Sequence, residues 1–293
     1  MPYSKRVLIT GGTGLIGREL YAPLAQHGLE AHVLTIDEEN PPHPHVVWWK
    51  GNLFDENFVT HVCNTVRPAY LLNLAWCTGG DYQTANTNFD FVRAGLTLLK
   101  HFAANGGKRA VLAGTCMEYA PQDKPLTETD AIAPQNLYAR CKNNLHCLAQ
   151  DFCQANDISL AYGRVFYVYG HNEHPSRLTA SIITRLQQGQ RVQINCSQLE
   201  RDYMYTKDIA AAFVALLASC VQGDVNICTG KAISLAHYAR ALASKLGKED
   251  LLVLQQLPTP QPPLIVGDNT RLLTEVGFTP TYTLESALHE ILH

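Results

Sequence analysis

The chain has 293 residues, 46% of them hydrophobic and 17% charged, with a formal net charge of -3. That length can bury a sizeable core in one large domain or two unequal lobes. The near-neutral balance offers no strong field for nucleic acid or an anionic membrane, so neither partner is expected. The opening MPYSKRVLIT has an apolar run too short, and too soon followed by glycines, for a signal peptide or membrane span, which points to the cytoplasm. Nine cysteines, an odd number without repeating spacing, read as thiols of a reducing compartment. Only CKNNLHC (141–147) approaches a metal-binding spacing, but Cys141 and Cys147 would point to different helix faces, so no metal is expected.

In chain order, short apolar runs alternate with amphipathic stretches, the pattern of a parallel sheet covered by helices. RVLIT (6–10), EAHVLTI (30–36), HVVWWK (45–50), AYLLNLA (69–75), RAVLAG (109–114) and ISLAYGRV (158–165) are predicted strands, with helices over 15–27, 56–66, 86–105 and 136–155. In the last two helices, Phe91, Leu98 and Phe102, then Leu145, Leu148 and Phe152, recur at helical intervals. They carry more apolar surface than one sheet face needs and are candidates for subunit contact. After Tyr169 come a polar loop (GHNEHPSRL), a helix over 177–189, a strand RVQINC (191–196), and a helix over 206–220 with Thr206 and Asp208 as cap candidates. A short strand DVNIC (224–228), helices over 234–246 and 283–292, and an irregular proline-rich connection (257–271) complete the chain. The expected fold is α/β: a Rossmann-type doubly wound parallel sheet in residues 1–169 and a smaller C-terminal lobe in 170–293, with segments around 201–228 returning to the first.

VLITGGTGLIG (7–17) places Gly11, Gly14 and Gly17 after a strand and at the start of a helix. The three suit a tight turn, close approach of a pyrophosphate and close helix-to-strand packing, with the phosphates at the helix N-terminus. Leu15 and Ile16, between the last two glycines, join them as cofactor candidates. Asp37, at the end of the second strand, is placed to bond ribose hydroxyls and repel a 2'-phosphate, and Glu38 and Glu39 add negative charge without an arginine. NAD is therefore favoured, with NADP as the second choice. Open parallel sheets bind ligands beyond their carboxyl edges, so Asn52 and Leu53 after strand three, and Ala75 and Trp76 after strand four, are further cofactor candidates. Packing in the core or a lid is an equal reading of Trp76.

In LYARCK (137–142), Tyr138 and Lys142 are four apart and share one helix face. Together with the glycine turn, AGTCMEY after strand five, GRVFYVYG, RDYMYTKDIA and RLLTEVGFTP, this segment resembles the extended short-chain dehydrogenase/reductase superfamily, within it the nucleotide-sugar epimerases, dehydratases and 4-ketoreductases. The resemblance implies that Tyr138 is the catalytic acid/base, that Lys142 bonds the nicotinamide ribose and lowers the tyrosine pKa, and that Thr115 hydrogen-bonds the substrate oxygen. It also implies a nucleotide-diphosphate sugar as substrate, bound by the C-terminal lobe, and a homodimer. Arg201 in RDYMY takes the phosphate-binding role, with an ion pair to Asp202 or Asp208 as the alternative; Arg271 and Arg177 are further contacts. Where dehydratases carry an acid pair after the threonine, this chain has Cys116 and Met117, which disfavours elimination of water. Glu118 is either a structural acid or a sugar contact, and Tyr167 stands where many relatives have asparagine. Reduction of the 4-keto group of a 6-deoxyhexose is expected ahead of 4-epimerisation, with a non-catalytic nucleotide-binding scaffold as the alternative of another class.

Overall fold

The computed structural model describes residues 5–38, 40 and 42–292; Glu39 lies outside them. The first half alternates β1 (Arg6–Thr10), α1 (Tyr21–Gln26), β2 (Glu30–Thr35), β3 (Val46–Lys50), α2 (Glu56–Val66), β4 (Tyr70–Asn73), α3 (Thr87–Ala104), β5 (Arg109–Thr115), α4 (Leu137–Ala155) and β6 (Ser159–Val165). There follow β7 (Tyr167–Tyr169), α5 (Leu178–Gln187), β8 (Val192–Ile194), β9 (Glu200–Arg201), β10 (Tyr203–Tyr205), α6 (Thr206–Ala218) and β11 (Gly223–Ile227). The chain closes with β12 (Ile233–Ser234), α7 (Leu235–Lys245), β13 (Leu252–Leu254), β14 (Leu264–Ile265), α8 (Thr270–Thr274) and α9 (Leu284–Leu292).

A seven-stranded sheet runs β11-β6-β5-β4-β1-β2-β3 with every pairing parallel. Strand order reverses at β1, so a crevice opens between the carboxyl ends of β1 and β4, where such sheets take their ligands. Apolar side chains of α1, α6 and α8 cover one face, among them Leu24, Phe213 and Leu272. Those of α2, α3 and α4, including Val59, Leu98 and Leu145, cover the other. The second half supplies β11 as an edge strand and α6 as a covering helix. It also builds a separate core around Tyr205, Tyr238 and Leu288.

Local chemistry sets several boundaries. The first helix is shorter than predicted: a 3-10 turn over Gly17–Glu19 precedes α1. Pro23 has no N–H to offer the Glu19 carbonyl, which interrupts the ladder a helix over 15–27 would need. Asp55 caps α2 by accepting from the Asn57 and Phe58 N–H groups, and Asn136 caps α4 by accepting from Ala139 N at 2.9 Å. Asp208 is no cap of α6. Its carboxylate accepts from the N–H groups of Thr281 and Tyr282 and from the Thr281 hydroxyl, tying the last helix's approach to the first turn of α6. Thr206 is likewise the first residue of that helix, without a capping hydrogen bond.

Candidate active site

A cavity of about 670 Å³ lies at the crevice between the two halves. Its wall brings together Gly11, Gly14, Leu15, Ile16, Gly17, Ala75 and Trp76 with Thr115, Tyr138 and Lys142, and then with Tyr167, Arg177 and Arg201. Residues as far apart in sequence as Gly11 and Arg201 thus share one chamber at the carboxyl edge of the large sheet. A second cavity, about 710 Å³ between α7 and α9, is lined by His237, Arg240 and Lys245 among others and carries none of these residues.

At one end, Gly11 has φ of +72°, where a Cβ would meet the Ala75 backbone at 2.7 Å. At Gly17 a Cβ would run into the Gly11 carbonyl and the backbone of Gly12. The Thr10 hydroxyl donates to Asn73 Oδ1 at 2.6 Å and accepts from Ala75 N at 3.2 Å, pinning the segment after β4 against this turn. Such a cradle, at the start of a helical segment and bare of side chains, fits a dinucleotide's pyrophosphate. Asp37, Asn52 and Leu53 lie off this wall. Asp37 is exposed just past β2, its N–H donating to the Thr35 hydroxyl, and Asn52 accepts from Phe54 N. Leu53 packs against the core around Val59 and so stands as a packing residue. Glu38 is not free negative charge, because Lys50 of β3 pairs with it.

At the chamber's centre, α4 presents Tyr138 and Lys142 on one face, both buried. The Tyr138 ring packs edge-on against Tyr82 and Trp76, with centroids 5.0 and 6.1 Å away. Burial pushes the Tyr138 phenol above its usual range, and a hydrogen bond with the Thr115 side chain opposes this. Lys142 is anchored separately. Its ammonium donates to the Ala113 carbonyl at 2.7 Å and lies 4.4 Å from the centre of the Trp76 ring, 5.9 Å from that of Tyr138. Burial brings Lys142 down to about 8, with the Glu118 carboxylate pulling the other way.

Glu118 is the structural acid and not a wall residue. It is completely buried, and one carboxylate oxygen accepts from Thr115 N and from the Tyr162 hydroxyl, both at 2.8 Å. The other accepts from Arg164 Nε at 3.1 Å. Arg164 in turn reaches Asp224 Oδ2 at 2.9 Å and the Tyr119 hydroxyl at 3.2 Å. Asp224 Oδ1 lies 3.0 Å from Nε2 of His146, which stacks on Tyr162 at 3.8 Å. With both oxygens engaged in this network and the side chain wholly buried off the chamber wall, Glu118 does not present a carboxylate to a sugar. His146 of the CKNNLHC stretch serves there, while Cys141 is buried and Cys147 exposed.

The far end is held by the second half. β7 and β10 pair in parallel, with Tyr167 opposite Tyr203, and both side chains reach the chamber. Arg201 is buried and donates to the carbonyls of Glu200 and Pro263 and to Gln261 Oε1, with its guanidinium 5.5 Å from the Tyr167 ring. Asp202 cannot pair with it, since that carboxylate accepts from Thr229, Gly230 and Gly267 instead. Arg177 donates to the Thr78 hydroxyl across the cleft at 3.0 Å. Among the described residues no carboxylate comes within 4.0 Å of either guanidinium. Arg271 is elsewhere: it pairs with Glu275 and donates to the carbonyls of Asp224 and Gln222, outside the chamber, so its helix-surface pairing replaces the expected ligand contact. Tyr82, Tyr203 and Gln261 line the chamber without having been singled out, and so does Glu173 of the polar loop after Tyr169.

The profile of the NAD dependent epimerase/dehydratase family matches residues 7–228. UDP-glucuronic acid decarboxylase 1 of Xenopus tropicalis is 23% identical over 99% of this chain and 72% of its own length. The dTDP-6-deoxy-L-talose 4-dehydrogenase (NAD(+)) of Aggregatibacter actinomycetemcomitans is 26% identical over 78% of this chain and 86% of its own. Among solved structures, UDP-glucose 4-epimerase of Thermotoga maritima, determined with UDP-glucose, superposes with a TM-score of 0.88 at 21% identity, covering 98% of each chain. The match across the cradle, the tyrosine-lysine pair and the strands that carry them shows that the chain is an enzyme of the NAD dependent epimerase/dehydratase family.

Proposed function

We propose that this enzyme reduces the 4-keto group of a nucleotide-activated 6-deoxyhexose. The observation that carries this reading is the wall beside Thr115 and Tyr138: Cys116, Met117, Phe166 and Tyr167, with Tyr82, line that end of the chamber. No carboxylate stands directly after Thr115 to move protons beside a keto carbon, and a wall of thiol, thioether and aromatic rings favours a methyl group over a hydroxymethyl group. The relative that acts on a dTDP-linked 6-deoxy sugar as a 4-dehydrogenase supports the same chemistry. A 4-epimerase is the second reading, favoured by the fold shared with UDP-glucose 4-epimerase, since both reactions use one tyrosine and one hydride.

NADH, when bound, supplies the hydride; the glycine turn would hold its pyrophosphate and Lys142 its nicotinamide ribose. Asp37 would take the adenosine ribose and select against a 2'-phosphate. Tyr138, kept protonated by burial, gives its proton to the carbonyl oxygen as the carbon is reduced, and Thr115 supplies a preorganised hydrogen bond to that oxygen. Arg201 and Arg177, neither of them within 4.0 Å of a carboxylate among the described residues although Glu173 feels the Arg177 charge, bind the diphosphate of the substrate. In this reading residues 170–293 form the substrate lobe. The exposed Phe89 of α3 and Leu148 of α4 mark a two-fold dimer contact. Nine free thiols suit the cytoplasm, and none of the described helices is long and apolar enough to cross a membrane.

The test is mass spectrometry of products from a panel of nucleotide-activated 4-keto sugars supplied with NADH or NADPH. Reduction adds two mass units, whereas an unchanged mass with an altered configuration would replace reductase by epimerase. Tyr138→Phe keeps the ring and its packing and is expected to lose about 10²–10⁴ in rate; near-normal turnover by the folded variant would refute the mechanism.

A further inference from the structure

Trp76 touches both members of the tyrosine-lysine pair. Its indole face lies under the Lys142 ammonium at 4.4 Å, and its ring stands nearly perpendicular to that of Tyr138 with centroids 6.1 Å apart. The indole is itself fixed: its N–H donates to Asn88 Oδ1 at 2.7 Å, and its other contacts include a stack on Phe91 at 5.2 Å with rings 21° apart. Asn88 is buried on α3 and spends its amide hydrogens on the carbonyls of Tyr82 and Ala85, at 2.7 and 2.8 Å. One side chain thus sets the place of Trp76 and of the segment bearing Tyr82, the two aromatic neighbours of Tyr138.

We infer that Trp76 is a positioning residue of the active site: its indole face, anchored by Asn88, holds the Lys142 ammonium against the Ala113 carbonyl and so presents it to the cofactor. A flexible four-carbon stem does not choose one place for its charge. Here the hydrogen bond to Ala113 fixes one direction, and the ring's negative face fixes the other. Among the described residues no carboxylate lies within 4.0 Å of the ammonium: Glu118 favours its protonated form from a distance while being turned into its pair with Arg164, and the Tyr138 phenol is kept neutral by burial.

This inference rests on Lys142 being the cofactor lysine, and the test reads the contact and its consequence separately. In protein made with 5-fluorotryptophan, the Trp76 fluorine resonance, assigned by its loss in Trp76→Phe, is expected to titrate with Lys142 near pH 8 and to stop titrating there in Lys142→Met. A resonance that does not move in that range, or moves equally in Lys142→Met, removes the contact whatever the enzyme's reaction. The consequence is read as NADH affinity in Trp76→Leu, Lys142→Met and the double variant, with folding checked by circular dichroism. Trp76→Leu is expected to weaken NADH about 3- to 10-fold and Trp76→Phe, which keeps an aromatic face, less than about 2-fold. In the Lys142→Met background, Trp76→Leu is expected to cost almost nothing further, because its effect acts through the lysine. Equal losses in both backgrounds, or no loss in the single variant, would overturn the positioning role.

Discussion

Replacing Glu118 with glutamine changes one atom of a buried side chain and leaves its shape. The amide oxygen can still accept from Thr115 N and Tyr162, but the amide nitrogen now faces the Arg164 guanidinium, donor against donor, where a carboxylate oxygen stood at 3.1 Å. Removing one partner of a buried ion pair costs about 3–5 kcal/mol. Arg164 keeps Asp224 at 2.9 Å and Tyr119 at 3.2 Å, so the expected loss is nearer 2–3 kcal/mol, about 4–8 °C in Tm for a chain of this size. Urea unfolding followed by circular dichroism measures it. The same substitution removes the acid that holds the proton on Lys142, so the alkaline limb of cofactor binding should move below its position near pH 8. A variant within about 0.5 kcal/mol of the parent, with an unmoved limb, would refute the account of Glu118 as the charge behind Thr115 and Lys142.

Lys142→Met should stabilise the fold while damaging cofactor binding. The folded value of Lys142, about 8, is below its unfolded value near 10.4, so between those limits the unfolded chain holds the extra proton and this group's contribution to stability rises with pH. Its charge therefore costs stability below pH 8. Methionine should gain about 1–3 kcal/mol at pH 7, with the gain gone by about pH 10.5, as thermal melts across that range would show. Arg201→Lys keeps the charge and loses the fork, and should weaken a nucleoside diphosphate by roughly 10-fold or more in calorimetric titration; unchanged affinity would take Arg201 out of the phosphate site. Leu148→Glu on the exposed face of α4 should yield a monomer by sedimentation if the α3–α4 face is the dimer contact, and a wild-type protein already monomeric at micromolar concentration would remove that contact.

The strands of the first half were legible because each is a short, largely apolar run; in the central ones this follows from burial on both faces, while the edge strand β3 stays partly exposed. The glycine turn was legible because its spacing has a mechanism. Glu118 was only half legible. Thr115 and Glu118 have the spacing of a capping box, a local signal present in AGTCMEY, and the arginine inside the apolar β6 announced a buried partner. That the partners are Glu118 and Asp224 depends on β6 lying between β5 and β11, with Gly114 and Asn226 opposite Arg164, which local pattern does not contain. Arg201 was singled out by resemblance to a known segment and Arg177 and Arg271 as further contacts; the first two line the chamber, whereas Arg271 lies outside it, since an arginine in an exposed helix pairs as readily with the glutamate four residues on. Strands β7 and β10, three residues each, are too short for periodicity to speak. They nonetheless set Tyr167 and Tyr203 side by side.

The strand order also has a consequence for synthesis. β6 ends at Val165, yet the neighbour that covers its outer edge begins only at Gly223. At ribosomal rates of about 5–20 residues per second, the nascent sheet carries that edge unpaired for roughly 3–11 s while residues 166–222 are made. Arg164, in the same interval, awaits the carboxylate of Asp224 that will complete its neutralisation. An unpaired edge is a template for another chain, so the growing polypeptide is most exposed to misassociation after its nucleotide cradle has been synthesised and before β11 emerges.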